Sequence, residues 1–113
     1  MDGMELISFK IISAVGTAKS MYIEAIQAAK QGNFEEADRL IEEGSNIFIE
    51  GHHAHGSLIQ QEASGEKVGF SLLLMHAEDQ LMTTETFKIV AQEFIELYRN
   101  VKMLSKGENR NED

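Results

Sequence analysis

The sequence predicts an all-α protein, an up-down-up bundle of three long helices, on three observations. None of its 113 residues is proline, so nothing removes a backbone donor from a helix interior. Apolar residues recur at three and four along most of the chain, the period of a helix with one buried face. Two short polar connections, each marked by glycine, divide the chain into three stretches of similar length. Short connections make neighbouring helices antiparallel. The chain is long enough for one moderate core and too short for two.

The first helix is expected over residues 4–31, where Ile7, Ile11, Ala14, Val15, Ala18, Met21, Tyr22, Ala25, Ile26 and Ala29 share a face. Gly32 suits the left-handed residue after a helix end, and Asn33 suits the cap of the next helix, with Glu35 and Glu36 in its first turn. The second helix is expected over residues 33–64, with Phe34, Ala37, Leu40, Ile41, Ile47, Phe48, Ala54, Leu58 and Ile59 repeating near every 3.5 residues. Gly44, Gly51 and Gly56 lie on it, each costing up to about 1 kcal/mol against alanine. They mark either close approach by a neighbouring helix or mere tolerance. After Ser64-Gly65, the third helix is expected over residues 71–105 with Ser71 as its cap. The domain then spans residues 1–104, and the polar SKGENRNED at 105–113 is expected to be disordered. Apolar stripes this long on three helices leave a face to cover, so closed symmetric association is expected as well.

A net charge of −9, without a Lys/Arg stripe, repels phosphate backbones and excludes nucleic acid and anionic membrane surfaces as natural partners. There is no cysteine, hence no disulfide, thiolate metal site or cysteine nucleophile. No apolar run is read as approaching the roughly 20 residues of a membrane span, and MDGMELISFK lacks the pattern of a signal peptide. A soluble, cytoplasmic protein is expected. Phosphate-cradling GxxxxGK[ST], dinucleotide GxGxxG and GxSxG motifs are absent.

Chemistry concentrates in LLLMHAEDQLMTTETF, residues 72–87. Leu72, Met75, His76, Asp79, Met82, Thr83, Thr86, Phe87, Val90, Phe94, Leu97, Val101 and Leu104 form one helical stripe, read here as a buried seam. His76 on such a stripe is by default a satisfied core histidine. It also fits a metal ligand paired with Asp79, or a nucleophile whose neutral imidazole attacks phosphorus. A buried carboxylate keeps its charge only when paired, hydrogen-bonded or metal-bound. In a symmetric oligomer the copies of Asp79 would converge and call for a cation or shared protons. A second cluster, EGHHAHGS, offers His52, His55 and the pair Glu50-x-x-His53, which has the spacing of a bundle ligand pair. Polar lining or exposed histidines is the preferred reading there. A metal-binding bundle built on Glu50, His53, His76 and Asp79, and a helical adaptor whose polar seam residues set register, stand as alternatives.

EASGEKVGFSLLLMHAEDQLMT, residues 62–83, resembles the signature region of the lactose/cellobiose-type IIA components of the bacterial phosphoenolpyruvate-dependent sugar phosphotransferase system. AAKQGNFEEADRLIEEG and FIELYRN resemble the same family's first turn and third-helix close, so the likeness spans roughly residues 4–104. It implies a homotrimer of nine helices. It implies that His76 accepts phosphate from the phosphohistidine of HPr, as tele-phosphohistidine, and passes it to a cysteine of a cognate IIB component. IIB would serve disaccharide uptake of lactose, cellobiose or β-glucoside type through the membrane component IIC. It also implies that Asp79 from each subunit meets a divalent metal ion, magnesium being the expected one, at the trimer axis.

The sequence departs from the family's frequent HAQDHLM, having Glu78 for its glutamine and Gln80 for its second histidine. Gln80 can hydrogen-bond but cannot carry phosphate or charge, which leaves His76 as the only acceptor in the motif. His55 and Gly56 stand where many members have Gln-Thr. Since phosphorylation adds nearly two negative charges to an acidic chain, the compensating basic groups are expected on HPr.

Overall fold

The computed structural model describes the backbone of residues 3–112 and the side chains of residues 3–107; residues 1, 2 and 113 lie outside it. The described chain is three helices without a strand: α1 Gly3–Lys30, α2 Phe34–Ala63 and α3 Leu72–Glu112. Three core clusters give their directions. Ile11 and Val15 of α1 pack with Ala77 and Leu81, Ala18 and Tyr22 with Ala91, and Ala25 and Ala29 with Ile95. Thus α1 and α3 run parallel. In α2, Ala37 and Leu40 lie beside the last turns of α1, whereas Phe48 and Ala54 lie beside its earlier part, so α2 runs the opposite way.

Both connections close by the same backbone device. At the first, Gly32 has φ 79°, its N–H donates to Ala29 O at 3.0 Å, and Asn33 N–H donates to Ala28 O at 2.9 Å. This pairing satisfies carbonyls left open at the end of α1 and needs a left-handed residue that only glycine adopts cheaply. Asn33 then caps α2, its side chain accepting from Glu36 N–H at 3.3 Å. The second connection repeats the pattern: Gly65 (φ 94°) N–H donates to Glu62 O and Glu66 N–H to Gln61 O. Ser71 Oγ accepts from Leu74 N–H at 3.0 Å and opens α3.

The glycines of α2 divide into two kinds. A Cβ at Gly44 would stand 2.9 Å from Tyr22 Cε1 and 3.2 Å from Met21 Cβ, and one at Gly51 would stand 3.1 Å from Val15 Cγ2. These two permit close approach of α1. Gly56 has open space around its Cβ position, and there the helix simply tolerates glycine. On the outer face Arg39 bridges Glu36 and Glu43, and its hydrogen bond lowers the pKa of Glu36. Such pairs belong to a solvated helix face.

Three expectations need correction. The stripe through His76 and Asp79 is not a seam within the protomer. The buried face of α3 is Leu74, Ala77, Leu81, Thr84, Ala91 and Ile95, while Leu72, Met75, Met82, Val90, Phe94, Leu97, Val101 and Leu104 are exposed. The helix carries apolar residues at helical spacing on two faces, and α1 takes only one. Second, α3 does not end near residue 105 but continues as helix to Glu112. No proline stops it, and adding a residue to an existing helix costs far less than starting one. Third, α1 contains an eighteen-residue window of mean hydropathy 1.2, long and apolar enough by composition to span a bilayer. In the bundle α1 is the central helix, burying Ser8, Ile11, Ala14, Val15, Ala18, Tyr22, Ala25 and Ala29, while Leu6, Phe9 and Ile23 stay exposed.

Candidate phosphoryl-transfer site

The beginning of α3 sets the site. Ser71 caps the helix, and Leu74, Ala77 and Leu81 turn inward against Ile11 and Val15 of α1. With those residues fixed, helical geometry sends His76 and Asp79, three residues apart, outward together on another face. Both are exposed. Around them stand Leu72 (75 % exposed), Met75 (47 %) and Met82 (56 %). The site is therefore a polar pair set in an uncovered apolar stripe.

Among the described residues, no side chain hydrogen-bonds to the His76 ring or the Asp79 carboxylate; Thr83 Oγ1 donates to the backbone oxygen of Asp79 at 2.8 Å. A free imidazole nitrogen at the surface is what a nucleophile needs and what a satisfied core histidine lacks. His76 lies beyond the first turn after Ser71, where the helix dipole acts only weakly.

The histidines of α2 are distributed differently. His52 and His53 are exposed, with His52 stacked on Phe48 at 6.4 Å between ring centres. Glu50 and His53 line an open groove of about 780 Å³ beside Leu6, Phe9, Lys10 and Ser13 of α1, so both members of the Glu-x-x-His motif face a groove between α1 and α2 whose lining includes no residue of α3. Among the described residues, no group of three or more His, Asp or Glu side chains is placed to hold a metal ion. The metal-binding bundle on Glu50, His53, His76 and Asp79 is thereby corrected: its members belong to different faces.

His55 was singled out in the sequence without a role. The fold brings it to Glu78, with Nε2 3.2 Å from Oε1, uniting two positions at which the sequence departs from the family pattern. Residues 23 apart give no local signal of pairing, and only the packing of α2 beside α3 reveals it. The buried hydroxyl of Thr84 was likewise missed in favour of Thr83; the spacing Leu74, Ala77, Leu81, Thr84 already held that second face.

The site is thus a solvent-facing histidine on an apolar helix face of a three-helix protomer. Over residues 6–99 the sequence matches the family described as the PTS system, lactose/cellobiose specific IIA subunit. The chain belongs to this family and is a IIA component of the lactose/cellobiose type, a relay protein of the sugar phosphotransferase system. It is 41 % identical over 98 residues to a lactose-specific EIIA component of Staphylococcus aureus, covering 87 % of this chain and 95 % of that one. The crystal structure of the cellobiose-specific enzyme IIA of Bacillus anthracis superposes with a TM-score of 0.88 at 44 % identity, over 91 % of this chain and 94 % of the other. The IIA(chitobiose) of the Escherichia coli system, solved in complex with HPr, superposes at 0.78 with 30 % identity, over 90 % and 99 %.

Proposed function

We propose that this chain accepts a phosphoryl group on His76 from phospho-HPr and delivers it to the cysteine of a cognate IIB component, in the cytoplasm, for uptake of a disaccharide through IIC. The observation that carries the proposal is the exposed, unbonded ring of His76 in a chain of this family. HPr as donor is supported by the complex solved for the chitobiose relative. The lactose and cellobiose relatives support a disaccharide of that type as the cargo.

The step balances without a co-reactant. A neutral His76 nitrogen attacks phosphorus as the P–N bond to the donor's phosphoimidazolium breaks; the donor leaves as neutral imidazole and His76 becomes the phosphoimidazolium. Transfer onward breaks that P–N bond, forms P–S on the IIB thiolate and returns His76 to neutral imidazole. Such transfers require alignment and charge compensation more than covalent machinery. An acidic chain with no cation bonded at His76 relies on its partner for that compensation.

The proposal includes a homotrimer of nine helices closed through α3. Leu72, Met75, Met82, Val90, Phe94, Leu97, Val101 and Leu104 are exposed in the protomer and follow a repeat near 3.5, as in a coiled-coil seam. A face of that extent needs a partner. Asp79 lies on it without a protein partner for its carboxylate, so three copies meeting at an axis fit a divalent cation, magnesium being the expected ion. Carboxylate oxygens are the donor type such an ion takes. It would supply neutralisation of the converging charges.

The test is intact mass and site mapping, under conditions that spare acid-labile phosphohistidine, after incubation with phosphoenolpyruvate, enzyme I and HPr. One phosphoryl group on His76, absent from His76→Ala with the fold retained, is the expected result. No transfer from competent HPr would overturn the proposal and favour the adaptor reading.

A further inference from the structure

His76 has four close neighbours on its own helix. Leu72, Leu73, Asp79 and Gln80 stand three or four residues from it, the spacing that brings side chains of successive turns together. Leu72 and Leu73 are apolar, and the Asp79 carboxylate only accepts, so Gln80 is the one member of this set with a hydrogen-bond donor. It stands about 40° around the helix axis from His76 and about 6 Å along it. Its direction suits the task as well, because helical side chains lean toward the N-terminus and a residue at i+4 lies over residue i.

Gln80 is also uncommitted. Among the described residues nothing bonds to its side-chain amide; only its backbone oxygen is engaged, accepting from Thr83 Oγ1 at 3.3 Å. Gln80 is half-buried where His76 is exposed, so part of its freedom is already lost and less entropy opposes holding it in one geometry. Glu78, by contrast, is bonded to His55 on the far side of the helix.

We propose that Gln80 is a phosphoryl-binding residue: its side-chain N–H donates to an oxygen of the phosphoryl group as that group bonds to His76, and stays there in the phosphohistidine. This inference rests on His76 being the acceptor. No proton changes hands, and the only bonds formed and broken are the P–N bonds of the transfer itself. A donor aimed where negative charge gathers lowers the barrier and stabilises the phosphorylated form. Being neutral, the amide leaves the supply of positive charge to the partner.

Single-turnover phosphorylation is followed with phospho-HPr and, in parallel, with phosphoramidate, a small anionic donor that needs no docking surface. Gln80→Leu, close in volume and without a donor, should lower the rate at saturation about tenfold with both donors, the effect of one hydrogen bond to a charged group in competition with water. The half-saturating HPr concentration should stay within about twofold. Gln80→Glu keeps the shape of the side chain but only accepts and carries charge; it should be slower again by about threefold. Gln80→His restores a donor and should remain within about threefold of the parent. A packing role predicts the opposite ranking, with Leu harmless and the ring of His the worst.

Rates of Gln80→Leu and Gln80→Glu equal to the parent with both donors would overturn the assignment. So would a loss confined to phospho-HPr and carried by its half-saturating concentration, which would make Gln80 a docking contact. Phosphorylation of His76 by phosphoramidate but not by HPr would overturn the relay partner while the variants still report on Gln80. No phosphorylation of the parent by either donor would overturn both.

Discussion

Two alanine substitutions on α2 should change stability in opposite directions. Both Gly44→Ala and Gly56→Ala gain about 1 kcal/mol of helix propensity, and the difference lies in what the new methyl group meets. At Gly56 there is nothing within 4 Å, so the gain is kept. At Gly44 the methyl would lie 2.9 Å from Tyr22 Cε1 and 3.2 Å from both Tyr22 Cδ1 and Met21 Cβ. The Tyr22 ring is fully buried, and its hydroxyl shares a 3.3 Å hydrogen bond with Ser45, so it cannot withdraw without opening a second contact. Overpacking of this kind costs about 1–3 kcal/mol. The net expectation is about 1 kcal/mol of stabilisation at Gly56 and a loss of zero to about 2 kcal/mol at Gly44. Urea unfolding at one fixed protomer concentration measures both, because oligomer stability depends on concentration. In thermal melts each kcal/mol should appear as about 4 °C for a chain of this size. Equal losses at the two positions, or a Gly44→Ala protein as stable as Gly56→Ala, would refute the inference that α1 packs against the bare backbone at Gly44.

Other consequences concern the assembly and its partners. Asp79→Leu should keep or raise trimer stability while removing bound metal, of which the parent should hold about one ion per trimer; analytical ultracentrifugation with metal analysis checks this, and a monomeric, unfolded product would refute it. Transfer from HPr should weaken as salt rises from about 0.05 to 0.5 M, because exposed complementary charges are screened; stopped-flow rates indifferent to salt would remove the electrostatic steering. Burial raises the pKa of Tyr22, partly offset by its bond to Ser45. Its unfolded form therefore ionises first. The stability this contributes is complete below about pH 10 and declines as pH rises through the folded value. Tyr22→Phe should flatten that alkaline loss in unfolding curves.

The legible parts of this protein are those with a local cause. Absence of proline and an apolar period near 3.6 gave three helices. Gly32, Asn33 and Ser71 announced their breaks because left-handed backbone and side-chain caps depend on a few consecutive residues. His76 and Asp79 were legible as a pair, since three residues along a helix share a face in any environment. Which environment was a different matter. Leu72–Met75–Met82 and Leu74–Ala77–Leu81 have equally helical spacings, and periodicity cannot rank two faces of one helix. Ala18 and Ala25, narrow residues of α1, together with Ile11 and Val15, received the second face and left the first, with the acceptor, exposed.

The sequence by itself determined the helices, their turns, the family and the candidate acceptor, all of which depend on neighbours within a few residues or on a contiguous motif. Only the tertiary structure decided that α1 is the central helix, that Gly44 and Gly51 admit it while Gly56 does not, and that Glu50 and His53 face a groove between α1 and α2. It also joined His55 to Glu78. Each of these depends on how one helix is rotated against another, a choice made by the summed packing of whole faces and carried by no single stretch of chain.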